Sequence, residues 1–164
     1  MASRRKPTSL PARRPRKSLT RGGAGLREQL AATARILRAL ASAPGNLQAV
    51  LEAVAEQAAR VCGATDCLIQ RVDGDRLRLI AHHGPVRTTI EPGGTIPLAR
   101  DSASGRAVLA RRTVHVPDME AAAAEYPTSV RLSRQSGWQT MLAVPLVGEE
   151  RVLEIGRASC RERV

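Results

Sequence analysis

The sequence predicts an α+β fold in which helices pack against an antiparallel sheet, and three observations support this class. Asp73-Gly74-Asp75 separates two runs of strand type, 66–72 and 76–82, and an Asp-Gly pair between such runs indicates a β-hairpin. Residues 138–147 read as a further strand that is apolar on both faces. The third observation is an apolar stripe at helical spacing, formed by Leu47, Val50, Leu51, Val54, Ala58 and Val61.

The first helix is predicted over residues 26–43. Its apolar positions step by four and three residues, as in a short heptad seam, which comprises Leu26, Leu30, Thr33, Leu37 and Leu40. Two heptads are too few to establish a coiled coil, so two interpretations stay open. The helix either packs on its own domain or joins two copies of the chain in a homodimer.

The second helix has clear start and stop signals. Asn46 is a suitable N-cap and Gly63 a suitable C-terminal stop. Cys62, the last position of the apolar stripe, is expected to be buried as a small hydrophobic residue.

Shorter elements are predicted after the hairpin. Residues 84–97 contain three prolines and three glycines and read as a loop. Asp101 or Ser102 should cap a helix that runs to about residue 111, and 113–116 should form a short strand. A polar helical stretch or irregular turn follows, before the apolar strand at 138–147.

The positive charge is concentrated at the N-terminus. The net charge is +11, and residues 1–24 alone hold eight Lys or Arg and no acid. Residues 1–25 are rich in Pro, Arg and Gly, which predicts a disordered basic arm. The remaining chain is almost neutral, so binding of nucleic acid is not expected of the domain. A DNA-associated regulator that uses the arm remains an alternative, and its binding would depend steeply on salt.

The cysteine count and the absence of long apolar runs predict a cytoplasmic protein. Three cysteines in a chain without an apolar signal segment favour a reducing compartment. No apolar run approaches the length of a membrane span. The sequence contains no zinc-ligand set and no catalytic motif, and it leaves the cofactor unknown.

Three short segments resemble the GAF domain, a small-molecule-sensing module of bacterial signalling proteins. They are S-A-S-G-R-A from Ser102, V-H-V-P-D from Val114 and M-L-A-V-P-L from Met141, and the resemblance extends over residues 26–153. It implies a central antiparallel sheet with helices on one face and a cavity under loops on the other. It also implies an unidentified small-molecule effector and a C-terminal output domain that is missing here. That output domain would be a histidine kinase or, less often, a cyclase or phosphodiesterase.

The resemblance also indicates where the effector would bind. In GAF domains the segment entering the helix after residue 102 lies beside the cavity, and helix starts attract anions. One of the two adjacent histidines at the end of the hairpin can face a pocket, and the single Trp can line one. The candidate ligand-binding residues are therefore His82, Arg100, Asp101, Ser102, Ser104, Arg106 and Trp138.

Other GAF activities fit the residues less well. The cyclic-nucleotide-binding pattern contains Phe, which this chain lacks, and neither Cys62 nor Cys67 stands in a bilin-attachment setting. An enzymatic alternative is a thiol-dependent reductase of the GAF type that uses Cys62 or Cys67. Depressed thiol pKa values, and loss of turnover in Cys67→Ser, would favour it.

The last residues, 154–164, form a predicted non-native tail. With a suitable choice of codons, E-I-G-R-A-S-C-R-E-R-V back-translates into a common short-read sequencing adapter. On this hypothesis the GAF-like domain ends near Leu153, so that the sheet lacks its final strand and closing helix. The exposed strand edge would then make the chain marginally stable. Resequencing the locus beyond Leu153 tests the origin of the tail, and genomic DNA that encodes it would contradict the hypothesis.

Overall fold

The computed structural model describes residues 20–42, 45–149 and 151–162. The elements in chain order are α1 (Thr20–Ser42), α2 (Leu47–Cys62), β1 (Asp66–Asp73), β2 (Arg76–His83), β3 (Thr95–Pro97), α3 (Ala103–Ala110), β4 (Val114–Val116), α4 (Pro127–Ser136), β5 (Thr140–Val147) and β6 (Val152–Cys160).

The six strands form one antiparallel sheet in the order β3-β2-β1-β6-β5-β4. The α+β class and the antiparallel GAF-like sheet predicted from the sequence are therefore confirmed. β6 lies between β1 and β5, and Ser159 is paired with Asp66 on one side and with Met141 on the other.

The expectation that the final strand is missing is wrong. Residues 152–160 form β6, and Ile155 and Ser159 are buried in the middle of the sheet. Both β1 and β5 are paired along β6, which removes the open edge on which the expected marginal stability rested. Within the described residues, no helix follows β6. The adapter origin of residues 154–164 stays a prediction, because a fold does not reveal the source of a gene.

Strand alternation gives the sheet two different faces. On the inner face, β4, β5 and β6 contact α3, and Val130 of α4 belongs to the same core, which is the larger one and includes Leu77, Met141 and Ile155. On the outer face, α2 packs on β1 and β2 through Ala55 and Ala59. α1 packs in turn on α2.

The helix signals are largely confirmed. The Asn46 side chain accepts a hydrogen bond from the Ala49 N–H at 3.1 Å, and Gly63 ends α2 with φ +61°. α1 begins at Thr20, inside the segment expected to be disordered, while residues 1–19 of the basic arm lie outside the described residues. None of the described helices combines the length and apolar character needed to cross a membrane.

One element differs from expectation. The predicted loop at 84–97 ends in a short edge strand, β3, which pairs with β2. α4 begins at Pro127, because proline suits the first turn of a helix, where its missing N–H is not needed.

Candidate ligand cavity

A small cavity lies on the inner face of the sheet, between β1, β5 and β6 on one side and α3, α4 and residues 88–96 on the other. Its volume is about 20 Å³, which is room for about one water molecule. Most lining groups are hydroxyls or apolar side chains, with one amide and one guanidinium. The lining residues are Leu68, Gln70, Thr88, Thr89, Ile90, Ile96, Ser102, Ser104, Ser129, Leu132, Ser136, Trp138, Met141 and Arg157.

The wall formed by the start of α3 is held by hydrogen bonds. The Ser102 hydroxyl caps the helix by accepting from the Gly105 N–H at 3.0 Å, and it donates to the Ala99 carbonyl at 3.1 Å. The Ala103 N–H donates to the Ser129 hydroxyl of α4 at 3.0 Å. Gly105 is required here, because a Cβ at this position would stand 2.0 Å from the Ala99 carbonyl oxygen.

Trp138 and Arg157 form the opposite part of the lining. The Arg157 guanidinium carbon lies 4.9 Å from the centre of the Trp138 ring, within the range of a cation–π interaction. The Nε of Arg157 is buried and donates to no acceptor among the described residues. Burial lowers the pKa of Arg157 to about 10, while the negative charge of Asp66 and the thiol of Cys67 act in the opposite direction.

Asp66 and His82 form a polar pair on the same inner face. The Asp66 side chain is fully buried, and its Oδ1 lies 2.7 Å from Nε2 of His82, which fits an N–H that donates to the carboxylate. The other oxygen, Oδ2, is buried and accepts from no described residue. Gly84 lies against this pair with φ +122°, and a Cβ there would stand 2.7 Å from Asp66 Oδ1.

The structure brings three of the predicted site residues to the cavity: Ser102, Ser104 and Trp138 all line it. His82 is engaged with Asp66 and is not part of the lining. A role of these residues in ligand binding stays a prediction, because position alone does not demonstrate binding.

The other three predicted residues, Arg100, Asp101 and Arg106, tie α3 to the segment before α4. The Arg106 guanidinium donates to the Arg100 carbonyl, bonds Glu125 and lies 4.5 Å from the Tyr126 ring centre. Asp101 Oδ2 accepts from the Thr128 hydroxyl at 2.7 Å.

Several lining residues were missed by the sequence reasoning. Leu68 and Gln70 are alternate residues of β1, and the strand pattern could have placed them on the buried face. Residues 88–90 carry no such signal, because they reach the cavity only when the loop folds back over the sheet. Arg157 lies within residues 154–164, and the prediction that this segment is a non-native tail assigns it no place in the site.

The pKa shifts of Cys62 and Cys67 are unfavourable for a thiol-dependent reductase. Burial, together with Cys62 and Asp66, raises the pKa of Cys67 to about 12, opposed only by Arg157. Partial desolvation of the thiol and nearby Cys160 also raise the pKa of Cys62. The residue as a whole is exposed, so the expectation that Cys62 is buried is wrong. Both shifts reduce the thiolate fraction at neutral pH, which is unfavourable for nucleophilic chemistry. In the described part of the chain, no group of three His, Cys, Asp or Glu residues could hold a metal ion.

Residues 45–155 match the family model of the GAF domain, and the chain therefore belongs to the GAF family. No protein among curated sequences matches the chain.

Solved structures agree with this assignment at the level of the fold. The GAF domain from a phosphoenolpyruvate-protein phosphotransferase of Coxiella burnetii is similar with a TM-score of 0.67 and 17% identity, over 83% of this chain and 79% of that one. A free methionine-R-sulfoxide reductase from Neisseria meningitidis, solved with its substrate, is similar with a TM-score of 0.64 and 20% identity, over 85% of this chain and 77% of that one. The GAF domain of a two-component sensor histidine kinase from Bacillus halodurans is similar with a TM-score of 0.53 and 12% identity, over 62% of this chain and 67% of that one.

Proposed function

We propose that this chain is the sensory module of a cytoplasmic signal-transduction protein and that it binds a small-molecule effector in the inner-face cavity. The output domain would be a histidine kinase, the type of protein from which the similar Bacillus halodurans GAF domain comes. The module itself is proposed to be non-catalytic, and the raised pKa values of Cys62 and Cys67 support this part of the proposal.

The observation that carries the proposal is the cavity itself. It is bounded by the sheet on one side and by α3 and α4 on the other, and its wall is rich in hydroxyl groups. Ligand sites commonly combine apolar surface with a few convergent polar groups. They commonly occupy about 300–1,000 Å³, whereas this cavity measures about 20 Å³. Binding of an effector therefore requires that part of the lining moves.

The sheet connects the cavity with the outer helices. Leu68 lines the cavity from the inner face of β1, while its neighbours Cys67 and Ile69 point to the outer face and pack in one cluster with Ala55 and Ala59 of α2. A ligand that displaces β1 would thus change the packing of α2. The change reaches an output domain only if the ligand binds one packing more tightly than the other.

α1 is proposed to carry the signal between two copies of the chain. Leu26, Leu30 and Leu37 lie on one side of α1 and are 58–62% exposed, while Ala32 is buried. These leucines are therefore available to a second α1 in a homodimer. Sedimentation equilibrium should show a dimer that Leu30→Asp converts to a monomer, and a monomeric parent chain would contradict this part of the proposal.

The effector site is tested by filling the cavity. A library of small polar metabolites is tested by thermal melting on the parent chain, on Ser104→Leu and on Ala110→Leu. Ser104 is buried and lines the cavity, whereas Ala110 is exposed at the other end of the same helix. A compound that raises the Tm of the parent chain should also stabilise Ala110→Leu and should have no effect on Ser104→Leu. Equal stabilisation of both variants would place the ligand elsewhere and contradict the proposal.

A further inference from the structure

We propose that the ligand is a small organic cation, held by the indole of Trp138 and the carboxylate of Asp66, and that the guanidinium of Arg157 occupies this position in the structure. The inference rests on the proposed function, because it concerns the ligand class of the same cavity. Three observations support it: a buried carboxylate with one oxygen that has no donor, an aromatic face with a guanidinium on it, and a lining that is otherwise neutral.

Asp66 supplies the negative charge. It begins β1, and strand alternation places its side chain on the same face as Leu68, which lines the cavity. His82 satisfies one carboxylate oxygen, but Oδ2 is buried and accepts from no described residue. A buried acceptor without a donor destabilises the protein, and a ligand with an N–H group would remove this cost.

Arg157 shows what kind of group the site accepts. It stands opposite Leu68 in the β1–β6 pairing, so that its side chain shares the inner face with Asp66. Its guanidinium lies on the Trp138 ring and in the field of Asp66. The fit is imperfect, because Nε of Arg157 and Oδ2 of Asp66 are both buried without a hydrogen-bond partner among the described residues. We expect a cation that is not tethered to β6 to contact the ring and also to donate to Oδ2 of Asp66, which Arg157 leaves without a donor.

The remaining wall disfavours an anion. Apart from Arg157, every lining side chain is neutral and offers hydroxyl, amide or apolar groups. An anion that displaced Arg157 would lose its hydration and find no positive group in the lining, with the carboxylate of Asp66 buried on the same face of the sheet. A cation would instead gain the cation–π contact and the carboxylate.

The two groups proposed to hold the cation lie outside the predicted tail, because Trp138 and Asp66 both precede residue 154. If residues 154–164 derive from an adapter, Arg157 imitates the ligand by chance. If they are genuine, Arg157 is an internal occupant that the ligand replaces.

The test removes Arg157 and supplies the missing group as ethylguanidinium chloride. The full chain with Arg157→Ala is melted with millimolar ethylguanidinium, with ethylurea as its neutral analogue, and with sodium chloride at matched ionic strength. Only ethylguanidinium should raise the Tm of Arg157→Ala. The matched control is Arg60→Ala, which removes an exposed arginine paired with Glu56 at 2.8 Å and should not respond.

Two further variants locate the cation. In the Arg157→Ala background, Trp138→Leu and Asp66→Asn should each weaken binding of ethylguanidinium by about tenfold or more. If Arg157→Ala fails to fold alone, recovery of its circular dichroism on addition of ethylguanidinium, but not of ethylurea, supports the proposal. Failure to recover overturns it.

Stabilisation by ethylurea, an equal response of Arg60→Ala, or full binding by the Asp66→Asn double variant would also overturn the inference. The two proposals can fail separately. A neutral or anionic metabolite whose effect disappears in Ser104→Leu would end the cation proposal and leave the sensory function standing.

Discussion

The two faces of the sheet differ in how completely they are covered. On the inner face Leu77 and Ile155 have no exposed surface, and the candidate ligand cavity measures about 20 Å³. On the outer face α2 covers β1 and β2 but leaves β5 and most of β6 open. There Val144 and Leu146 are 37% and 43% exposed, beside an apolar groove of about 220 Å³.

The difference separates two tasks that the same strands perform. β5 contributes Met141 and Ala143 to the closed core and, at alternate positions, Leu142 and Val144 to the open groove. The inner face therefore provides stability and encloses the candidate site. The outer face contributes less to stability and presents an apolar surface of the kind that marks contact with other parts of an assembly.

The largest difference in stability between the two faces should appear when one leucine on each face is truncated to alanine. Leu77→Ala removes a fully buried side chain of the inner core and should lower the free energy of unfolding by about 2–5 kcal/mol. Leu146→Ala on the open face should cost about 1 kcal/mol or less, because much of that side chain already contacts water. Urea unfolding of both variants measures the difference. Equal losses would show that the outer face is covered in solution.

Local signals explain what could be predicted of the fold. The Asn46 cap, the Gly63 stop and the turn at Gly74 each depend on neighbouring residues, so their sequence patterns are sufficient. β6 has no such pattern, because Glu154 and Arg157 interrupt its apolar residues. Its strand conformation comes from pairing with β1 and β5, which lie far away in the chain.

The candidate site divides in the same way. Ser102 was predictable because a hydroxyl before an apolar helix is a capping signal, and the cap happens to face the cavity. Arg106 was placed at the site for the charge of its segment. In the folded chain Glu125 and Tyr126 bind it instead, and their proximity is a property of the tertiary fold. Local sequence therefore predicts the capping residue in the cavity wall better than it predicts which residues a long charged side chain contacts.

A smaller difference in stability should appear when the N-cap residue of one helix on each face is replaced by alanine. Ser102 caps α3 over the inner face and is buried, whereas Asn46 caps α2 on the outer side and is exposed. Asn46→Ala should cost about 1 kcal/mol or less, because water can replace the lost acceptor at the Ala49 N–H. Ser102→Ala should cost about 1–2 kcal/mol, because the Gly105 N–H then stays buried without its acceptor. Urea midpoints at unchanged m-value measure both losses. A loss in Ser102→Ala as small as that in Asn46→Ala would mean that water reaches the start of α3, and the cavity beside it would then be open to solvent.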